Sequence, residues 1–218
     1  MTREPGLGVQ RRALLAAPLS LPLSLPLSLW PFSQAQAGGQ VEEPLADAVR
    51  TALAAAVSDE APPRPNFDNL DTRLAYLRWL GNASEKLKKR KAEHHTRVEF
   101  LETAWYESRR AGLETALVLG LIQVESGFRK YAISSVGARG YMQVMPFWAR
   151  LIGSGNDAQR LFHLQTNLRF GCVILRHYLD RERGDLFMAL GRYNGSRGRP
   201  EYPNLVFGAR RLWDVKAV

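Results

Sequence analysis

Glu125 has the residue type and the position of a general acid. An apolar run from Leu117 to Val124 precedes it, and Ser126 and Gly127 follow it directly. The run predicts a buried helix that ends close to Gly127, because glycine readily takes the left-handed conformation that terminates helices. Burial and the carbonyl end of a helix both disfavour a negative charge, so both raise the pKa of a carboxyl group. A carboxylic acid that stays protonated near neutral pH can supply the proton that glycosidic cleavage requires.

A structural interpretation of Glu125 stays open at this point, because a surface glutamate at a helix end would give the same pattern. Three short motifs in a fixed order favour the chemical interpretation. They occupy residues 125–128 (ESGF), 137–146 (GARGYMQVMP) and 192–195 (RYNG). Together they closely resemble the soluble-type lytic transglycosylases (SLT domain), which share a lysozyme-like fold with goose-type lysozyme. The resemblance covers about residues 97–213 and little before them.

The resemblance implies a role for each residue that matches a family motif. Glu125 would be the catalytic acid and base, and Ser134, nine positions later, would lie near the substrate N-acetyl group. Gln143 and Met145 would line the glycan groove. Met145 also has a simpler interpretation as packing, since methionine usually fills gaps in a core.

The third motif implies further site residues. Tyr193 matches the family tyrosine that hydrogen-bonds the catalytic carboxyl or the substrate, and Asn194 matches its neighbour. Glu201 is the nearest candidate for a further family glutamate, which normally lies in a loop beyond the Tyr-Asn pair. The chain departs from the family pattern at two positions: Tyr141 replaces a leucine and would lie beside a sugar, and Arg192 replaces an alanine and would add charge near the groove. A buried Tyr193 that satisfies its hydroxyl locally is the structural alternative.

Catalysis by a single carboxylate is implied. Most glycosidases use two, roughly 5 Å apart in retaining enzymes and about 6.5–9.5 Å apart in inverting ones. No Asp or Glu occurs from Ser126 through Asn156. In the mechanism that the resemblance implies, Glu125 protonates the oxygen between N-acetylmuramic acid and N-acetylglucosamine, and the 2-acetamido group stabilises the anomeric carbon. Glu125 then removes the proton of the C6 hydroxyl, which closes a 1,6-anhydro ring. The substrate would be peptidoglycan, with no cofactor and no metal.

The elements that must position these residues are predicted to be mainly α-helical. A first helix is predicted from leucines that share one face, at positions 70, 74, 77 and 80. The pair Gly81-Asn82 is expected to end it. The glycine-rich residues 127–156 predict a looped segment with a small hairpin after the catalytic helix. Helical character returns at Leu161, with a central core helix over about 168–179 and a further helix over 185–190. These patterns predict a mainly α fold class, and the resemblance implies that the fold is lysozyme-like.

Four segments are predicted along the chain: a signal peptide over 1–37, an Ala/Pro-rich appendage or linker over 38–66, an N-terminal helical extension over 67–96 and a lysozyme-like catalytic domain over 97–218. The signal peptide is inferred from a basic N-terminal region, an apolar tract and a cleavage site with small residues. Prolines inside the tract argue against a stable transmembrane anchor. The protein is thus expected to be exported to the periplasm, with the Sec route favoured over the twin-arginine route.

The net charge narrows the class of partner. A formal charge of +9 and a pI of 10.0 favour an acidic partner, which could be nucleic acid, an anionic membrane surface or a wall polymer. Export places the protein away from the nucleoid, so no nucleic-acid partner is expected. Peptidoglycan glycan strands are the expected partner, and cell-wall machinery is a further candidate.

Three other features have structural interpretations. The basic run from Lys86 to Lys91 is interpreted as the solvated face of a helix, with a contact for anionic wall polymer as the alternative. His94 and His95 are adjacent and do not share a helix face, so no metal site is assigned. Cys172, the sole cysteine, is interpreted as a small buried hydrophobe.

Two other functions remain open besides the lytic transglycosylase. A hydrolytic muramidase of the goose-lysozyme type would cleave the same bond with water. A non-catalytic peptidoglycan-binding protein would keep the groove without the reaction, although an intact Glu125 argues against it.

Overall fold

The helical prediction can be compared with a computed structural model, which describes Arg50, Thr51, Leu53, Ala54, Pro62 and the ranges 65–150 and 157–214. The predicted signal peptide lies outside these residues. Between residues 65 and 214 the described chain forms seven α-helices, with one 3-10 helix (Asp157–Phe162) before the fifth. The α-helices are α1 Leu70–Leu87, α2 His94–Arg110, α3 Thr115–Ser126, α4 Pro146–Arg150, α5 Leu164–Arg181, α6 Leu186–Asn194 and α7 Glu201–Trp213. The prediction of a mainly α fold is confirmed. No helix among the described residues is long and apolar enough to cross a membrane.

Local sequence signals set several helix ends. The Asp185 side chain accepts a hydrogen bond from the Met188 backbone N–H at 3.0 Å and so caps the start of α6. At the other end of α6, Gly195 takes a left-handed conformation with φ +77°. Gly127 does the same after α3, with φ +58°, so the predicted helix end just beyond Glu125 is confirmed.

Helix α3 is the central element of the core. Nine of its twelve residues are buried, which follows from its nearly continuous apolar sequence. Gly120 lies where α3 crosses α7. A Cβ atom at this position would lie 2.6 Å from the Arg210 backbone N and 2.8 Å from its Cα. The absence of a side chain therefore allows the two helix backbones to touch.

A buried ion pair joins α2 to α5. The Arg169 guanidinium donates to the Glu107 carboxylate, with Nε 2.9 Å from Oε2 and Nη2 2.7 Å from Oε1. Because both side chains are almost completely buried, each compensates the charge of the other. Cys172 lies on the same helix as Arg169 and is buried, as predicted, and burial raises the pKa of its thiol.

The predicted end of α1 is wrong. The helix does not stop at Gly81-Asn82 but continues to Leu87. A glycine inside a helix costs about 1 kcal/mol relative to alanine. Burial of Ala83 and Leu87 in the core offsets that cost. The predicted leucine face is instead partly open to solvent, since Leu70 and Leu77 are exposed.

The basic run after α1 is not one solvated helix face. Lys88 to Arg90 form an exposed turn, but Lys91 is half-buried. Its Nζ donates to the Tyr141 hydroxyl at 2.8 Å and lies 5.2 Å from the centre of the Phe100 ring. Tyr141 is 50 positions away along the chain, so local charge patterning carries no information about this contact.

The segment after α3 is a looped turn with two isolated antiparallel bridges. Arg139 pairs with Ile133 on one side and with Val144 on the other. The expected small hairpin is therefore present, and a single residue, Arg139, belongs to both of its bridges.

Candidate active site

Glu125 lies in the last turn of α3, and its side chain is buried. The residue is 8 % exposed. Its Oε1 accepts a hydrogen bond from the hydroxyl of Tyr202. Its Oε2 is buried and has no hydrogen-bond partner among the described residues. The two carboxyl oxygens therefore differ: Oε1 is hydrogen-bonded to Tyr202, and Oε2 is buried without a hydrogen-bond partner among the described residues.

Burial raises the pKa of Glu125 from an ordinary value of 4.5 to about 8. The hydrogen bond from Tyr202 acts in the opposite direction, because it stabilises the charged form, but burial outweighs it. Glu125 is consequently protonated at neutral pH. Since Tyr202 occupies Oε1 as a donor, the acidic proton belongs on Oε2, the oxygen that is free to give it away.

Tyr202 was not among the residues predicted from the sequence. The sequence analysis chose its neighbour Glu201, which is exposed on the outer face of α7. A usable signal was present: Tyr202, Val206, Ala209 and Trp213 follow a helical spacing, and all four are buried. This spacing puts Tyr202 on the inner face, toward α3, and Glu201 on the opposite side.

Tyr193 lies near Glu125 but does not hold its carboxyl group. Its buried hydroxyl donates to the Met142 carbonyl at 2.8 Å. Burial raises the pKa of Tyr193 well above its ordinary value, and the proximity of Glu125 adds to the effect. The hydroxyl of the buried Tyr193 is thus satisfied by a backbone carbonyl, as the structural alternative in the sequence analysis states. The hydrogen bond to the Glu125 carboxyl that was expected from Tyr193 comes from Tyr202 instead.

Ser134 lies in the tight turn that follows α3. Its Oγ accepts from the Ala138 N–H at 3.0 Å, and its own N–H donates to the Ala138 carbonyl at 3.0 Å. The side chain is half-buried, so part of it faces solvent. Ser134 therefore shapes the turn, and its expected place near the substrate N-acetyl group stays a prediction.

Gln143 is nearly fully buried and braces the same loop. Its Nε2 donates to the Ala132 carbonyl at 3.1 Å and to the Gly140 carbonyl at 2.9 Å. The backbone of Gln143 has φ +47°, and Phe128 has φ +68°. Positive φ at non-glycine residues stores strain, and such strain concentrates at functional sites. The loop is thus held in a specific shape between two strained positions.

Asn167, on α5, is an anchor that the sequence analysis missed. Its Oδ1 accepts from the Met142 N–H at 2.8 Å, and its Nδ2 donates to the carbonyls of Arg139 at 2.9 Å and Leu161 at 2.7 Å. A Cβ at Gly140 would lie 2.3 Å from this Nδ2, and Gly140 has φ +76°. The GARGYMQ motif therefore needs its second glycine so that the loop can close on Asn167.

Ser126 connects the end of α3 to the loop. Its Oγ donates to the Tyr141 carbonyl at 2.7 Å in the loop and to the Ile122 carbonyl at 3.2 Å within the helix. Tyr141 itself is 3 % exposed and packs against Phe100, with ring centres 5.0 Å apart. Its expected position beside a sugar is wrong, because its ring fills the core.

The remaining predicted residues, Met145, Asn194 and Arg192, make contacts within the protein. Met145 is half-buried against the core, as the packing interpretation required. Asn194 donates from Nδ2 to Ser196 Oγ at 3.0 Å, and its Oδ1 is buried without a hydrogen-bond partner in the described chain. Arg192 does not add free charge to the groove, since its Nη2 lies 2.6 Å from Glu182 Oε1.

Glu182 forms ion pairs with Arg192 and Arg197 and does not have the properties of a second catalytic acid. Arg197 donates to both of its oxygens, at 2.7 and 2.9 Å. The hydrogen bond from Arg197 is the largest of the effects that lower the pKa of Glu182 to about 2. A carboxylate this acidic stays charged and does not serve as a proton donor near neutral pH. No group of three or more His, Cys, Asp or Glu side chains in the described ranges could hold a metal ion.

Comparison with known proteins identifies a domain. The family model of the Transglycosylase SLT domain matches residues 102–203. A protein named "Transglycosylase" from Enterobacteria phage PRD1 is 33% identical over 105 residues, which cover 48% of this chain and 38% of that protein. A "Membrane-bound lytic murein transglycosylase C" from Haemophilus influenzae is 48% identical over 105 residues, which cover 42% of this chain and 29% of the relative.

A solved structure also resembles part of the chain. The lytic transglycosylase Slt of Pseudomonas aeruginosa aligns over 65% of this chain and 27% of its own, with 23% identity and a TM-score of 0.42. The chain spans well under half the length of these relatives.

Proposed function

Because residues 102–203 belong to the Transglycosylase SLT domain family, we propose that the protein is a lytic transglycosylase that cleaves the MurNAc-GlcNAc β-1,4 bond of peptidoglycan and forms 1,6-anhydromuramyl ends. The observation that carries the proposal is the state of Glu125. Its carboxyl group is buried, its pKa is raised to about 8, and its Oε2 is free of hydrogen bonds to the described chain. An acid of this kind can act first as a proton donor and then as a base.

In the first step, the proton on Glu125 Oε2 passes to the glycosidic oxygen. The C1–O bond of the N-acetylmuramic acid breaks, and the hydroxyl of the N-acetylglucosamine leaves. Positive charge develops at C1, where the carbonyl oxygen of the sugar's own 2-acetamido group stabilises it. Tyr202 stays bonded to Oε1 and stabilises the carboxylate that the transfer leaves behind.

In the second step, the Glu125 carboxylate takes the proton from the C6 hydroxyl of the same sugar. The C6 oxygen bonds to C1, the 1,6-anhydro ring closes, and Glu125 is again protonated. No water is consumed. An intramolecular nucleophile is already positioned, which lowers the entropic barrier and removes the need for a second carboxylate to place water.

The surroundings of Glu125 support a single-carboxylate reaction. In the part of the chain that the structure describes, burial and the Tyr202 hydrogen bond are the influences that move its pKa. The sequence has no Asp or Glu between Ser126 and Asn156, so the loop after α3 supplies no partner acid. Export to the periplasm, inferred from residues 1–37, would bring the enzyme to this substrate.

Digestion of purified peptidoglycan in water enriched in heavy oxygen tests the proposal. A lytic transglycosylase releases products that are lighter by one water than reducing ends and that carry no label. Products with reducing ends and incorporated heavy oxygen would show a muramidase instead. Binding of peptidoglycan without any cleavage would show a non-catalytic wall-binding protein.

A further inference from the structure

A cation-lined groove lies beside the loop that follows α3. It has a volume of about 430 Å³ and is bordered on the other side by the 3-10 helix and the start of α5. Its lining residues are Lys130, Tyr131, Ile133, Arg139, Gln159, Phe162 and His163. None of them is acidic. A larger cavity, of about 760 Å³, lies beside α1 and α2 and does contain a carboxylate, that of Glu102.

The groove lies on the opposite face of the turn from Ser134. Ile133 and Arg139 are antiparallel bridge partners, so their side chains point to the same face. Successive side chains on an extended segment alternate, which puts the neighbouring Ser134 on the other face. The family resemblance implies that the substrate N-acetyl group lies near Ser134. The groove is therefore on a different face of the turn from the expected N-acetyl contact.

The aromatic rings of the groove already carry cations. Lys130 Nζ lies 5.4 Å from the centre of the Tyr131 ring, and the guanidinium carbon of Arg139 lies 5.6 Å from the centre of the Phe162 ring. The two rings are 5.8 Å apart and tilted by 51°. Each ring has a cation over one face, so the groove combines positive charge with aromatic surface.

Two features of the groove suit an anionic ligand. Arg139 Nε is buried and makes no hydrogen bond within the described ranges, so part of the guanidinium has an unused donor. Tyr131 is 71 % exposed and Ile133 is 63 % exposed, so apolar surface borders the cations. Carboxylates beside small apolar groups match both features.

We propose that this groove binds the stem peptide that branches from the glycan, with its carboxylates on Lys130 and Arg139 and its small apolar side chains against Tyr131 and Ile133. The inference rests on the proposed function for its substrate. The length of a stem peptide is sufficient for this arrangement. An extended peptide spans roughly 3.3–3.6 Å per residue, so four residues span about 13 Å. Neighbouring strands are about 5 Å apart, so a stem peptide can pass around the edge of the turn while the sugar stays near Ser134.

Binding measurements in a Glu125→Gln background test this inference without turnover. The probes are soluble peptidoglycan oligomers that carry stem peptides and the same oligomers after an amidase has removed the peptides. Lys130→Gln and Tyr131→Ala each remove one exposed contact. We expect each to weaken calorimetric binding of the peptide-bearing oligomer roughly five- to tenfold, the effect of losing one charged or apolar contact. Binding of the stripped oligomer should stay within about twofold.

Arg110→Gln and Leu205→Ala are the matched controls, because both side chains are exposed on other helices. They should bind both probes like the parent. Unchanged binding of the peptide-bearing oligomer by Lys130→Gln and Tyr131→Ala would overturn the inference. Equal loss on both probes would also overturn it, since the groove would then bind the sugar.

The result of this binding test is independent of whether the protein catalyses the proposed reaction. Selective loss of the peptide-bearing probe supports the groove assignment even if the protein with Glu125 intact forms no anhydro ends. Normal binding by the groove variants overturns it even if that protein forms them.

Discussion

The two oxygens of the Glu125 carboxyl group have different neighbours, and this asymmetry defines its chemistry. Oε1 accepts from Tyr202, and Oε2 faces no hydrogen-bond partner among the described residues. Burial keeps the group protonated, and the hydrogen bond moderates that effect. A residue in this state is poised to lose its proton to a substrate and to regain one.

Replacement of Tyr202 by phenylalanine tests the moderating hydrogen bond. Because that bond favours the charged form, Tyr202→Phe should raise the pKa of Glu125 beyond about 8. The free enzyme must be protonated to act, so the alkaline limb of kcat/KM against pH should move to higher pH. We also expect kcat at pH 7 to fall about tenfold, because the carboxylate formed in the reaction loses about 1.4 kcal/mol of stabilisation.

The matched control is Tyr193→Phe. Its hydroxyl binds the Met142 carbonyl, so its removal should leave the alkaline limb in place. An unshifted limb in Tyr202→Phe would mean that Tyr202 does not act on the catalytic carboxyl.

The burial of Glu125 should also destabilise the fold as pH rises. The unfolded chain releases this proton near pH 4.5, whereas the folded protein keeps it to about pH 8. Stability is therefore lost progressively between these pH values. Each pH unit corresponds to about 1.4 kcal/mol, so the cost at pH 7 is about 3 kcal/mol. Glu125→Gln removes it, and urea unfolding should show a gain that is near zero at pH 4.5, clear at pH 7 and largest above about pH 8. An equal gain in stability at pH 4.5 and at pH 8 would contradict the assigned burial cost.

Glu125 and its burial could be predicted from the sequence because both follow from local features, an apolar run and a terminating glycine. Tyr202 is 77 positions away, and its contact depends on how α7 packs against α3. The family pattern predicts an acid in that region, and Glu201 is the acidic residue nearest to the expected position. Helical spacing within α7 would have selected the neighbouring tyrosine, because only that face is buried.

At the scale of elements, the site depends on the contact between α3 and α7. The former carries Glu125, the latter carries Tyr202, and Gly120 brings their backbones together. Trp213, at the end of α7, donates from Nε1 to Gln123 Oε1 at 2.9 Å, which is a second contact between the two helices. The alignment of donor and acceptor is thus a property of the helix pair.

Gly120→Ala should disrupt this pair. The new Cβ would meet Arg210 backbone atoms at 2.6 and 2.8 Å, which only a displacement of one helix can relieve. We expect a loss of about 1–3 kcal/mol in urea unfolding, as for overpacked cores. Gly208→Ala in α7 is the control, because its Cβ would approach nothing closer than the Arg211 side chain at 3.8 Å. That variant should be neutral or gain up to about 1 kcal/mol from helix propensity. Similar stabilities for the two variants would argue against close backbone packing.

The elements were predictable to different degrees. The cores of α3 and α5 are apolar enough to identify from sequence, and the glycines after α3 correctly predicted a turn. The end of α1 and the partners of Lys91 were not predictable, since both depend on residues that meet only after folding. Lys91 contacts the Tyr141 hydroxyl at 2.8 Å, and the family match begins only at residue 102.

The whole molecule is basic, and its charge should act on binding rather than on chemistry. With a formal charge of +9, the protein should bind an anionic wall polymer more weakly as salt is raised. We expect sedimentation with purified peptidoglycan to fall severalfold between low and high salt, because screening reduces surface attraction. Binding of a neutral chitin oligomer should change little. Salt-independent binding of peptidoglycan would show that the basic surface does not hold the polymer.

Turnover of purified peptidoglycan by Glu125→Gln tests the central claim most directly. The variant should fold, and its rate of anhydromuramyl-end formation, measured by mass spectrometry, should fall by at least about a thousandfold, since one group serves as acid and base. Glu201→Gln, which changes an exposed carboxyl one residue from Tyr202, should retain most of the activity. A folded Glu125→Gln protein that releases anhydromuramyl ends at a rate near that of the parent would contradict the assignment of Glu125 as the catalytic residue.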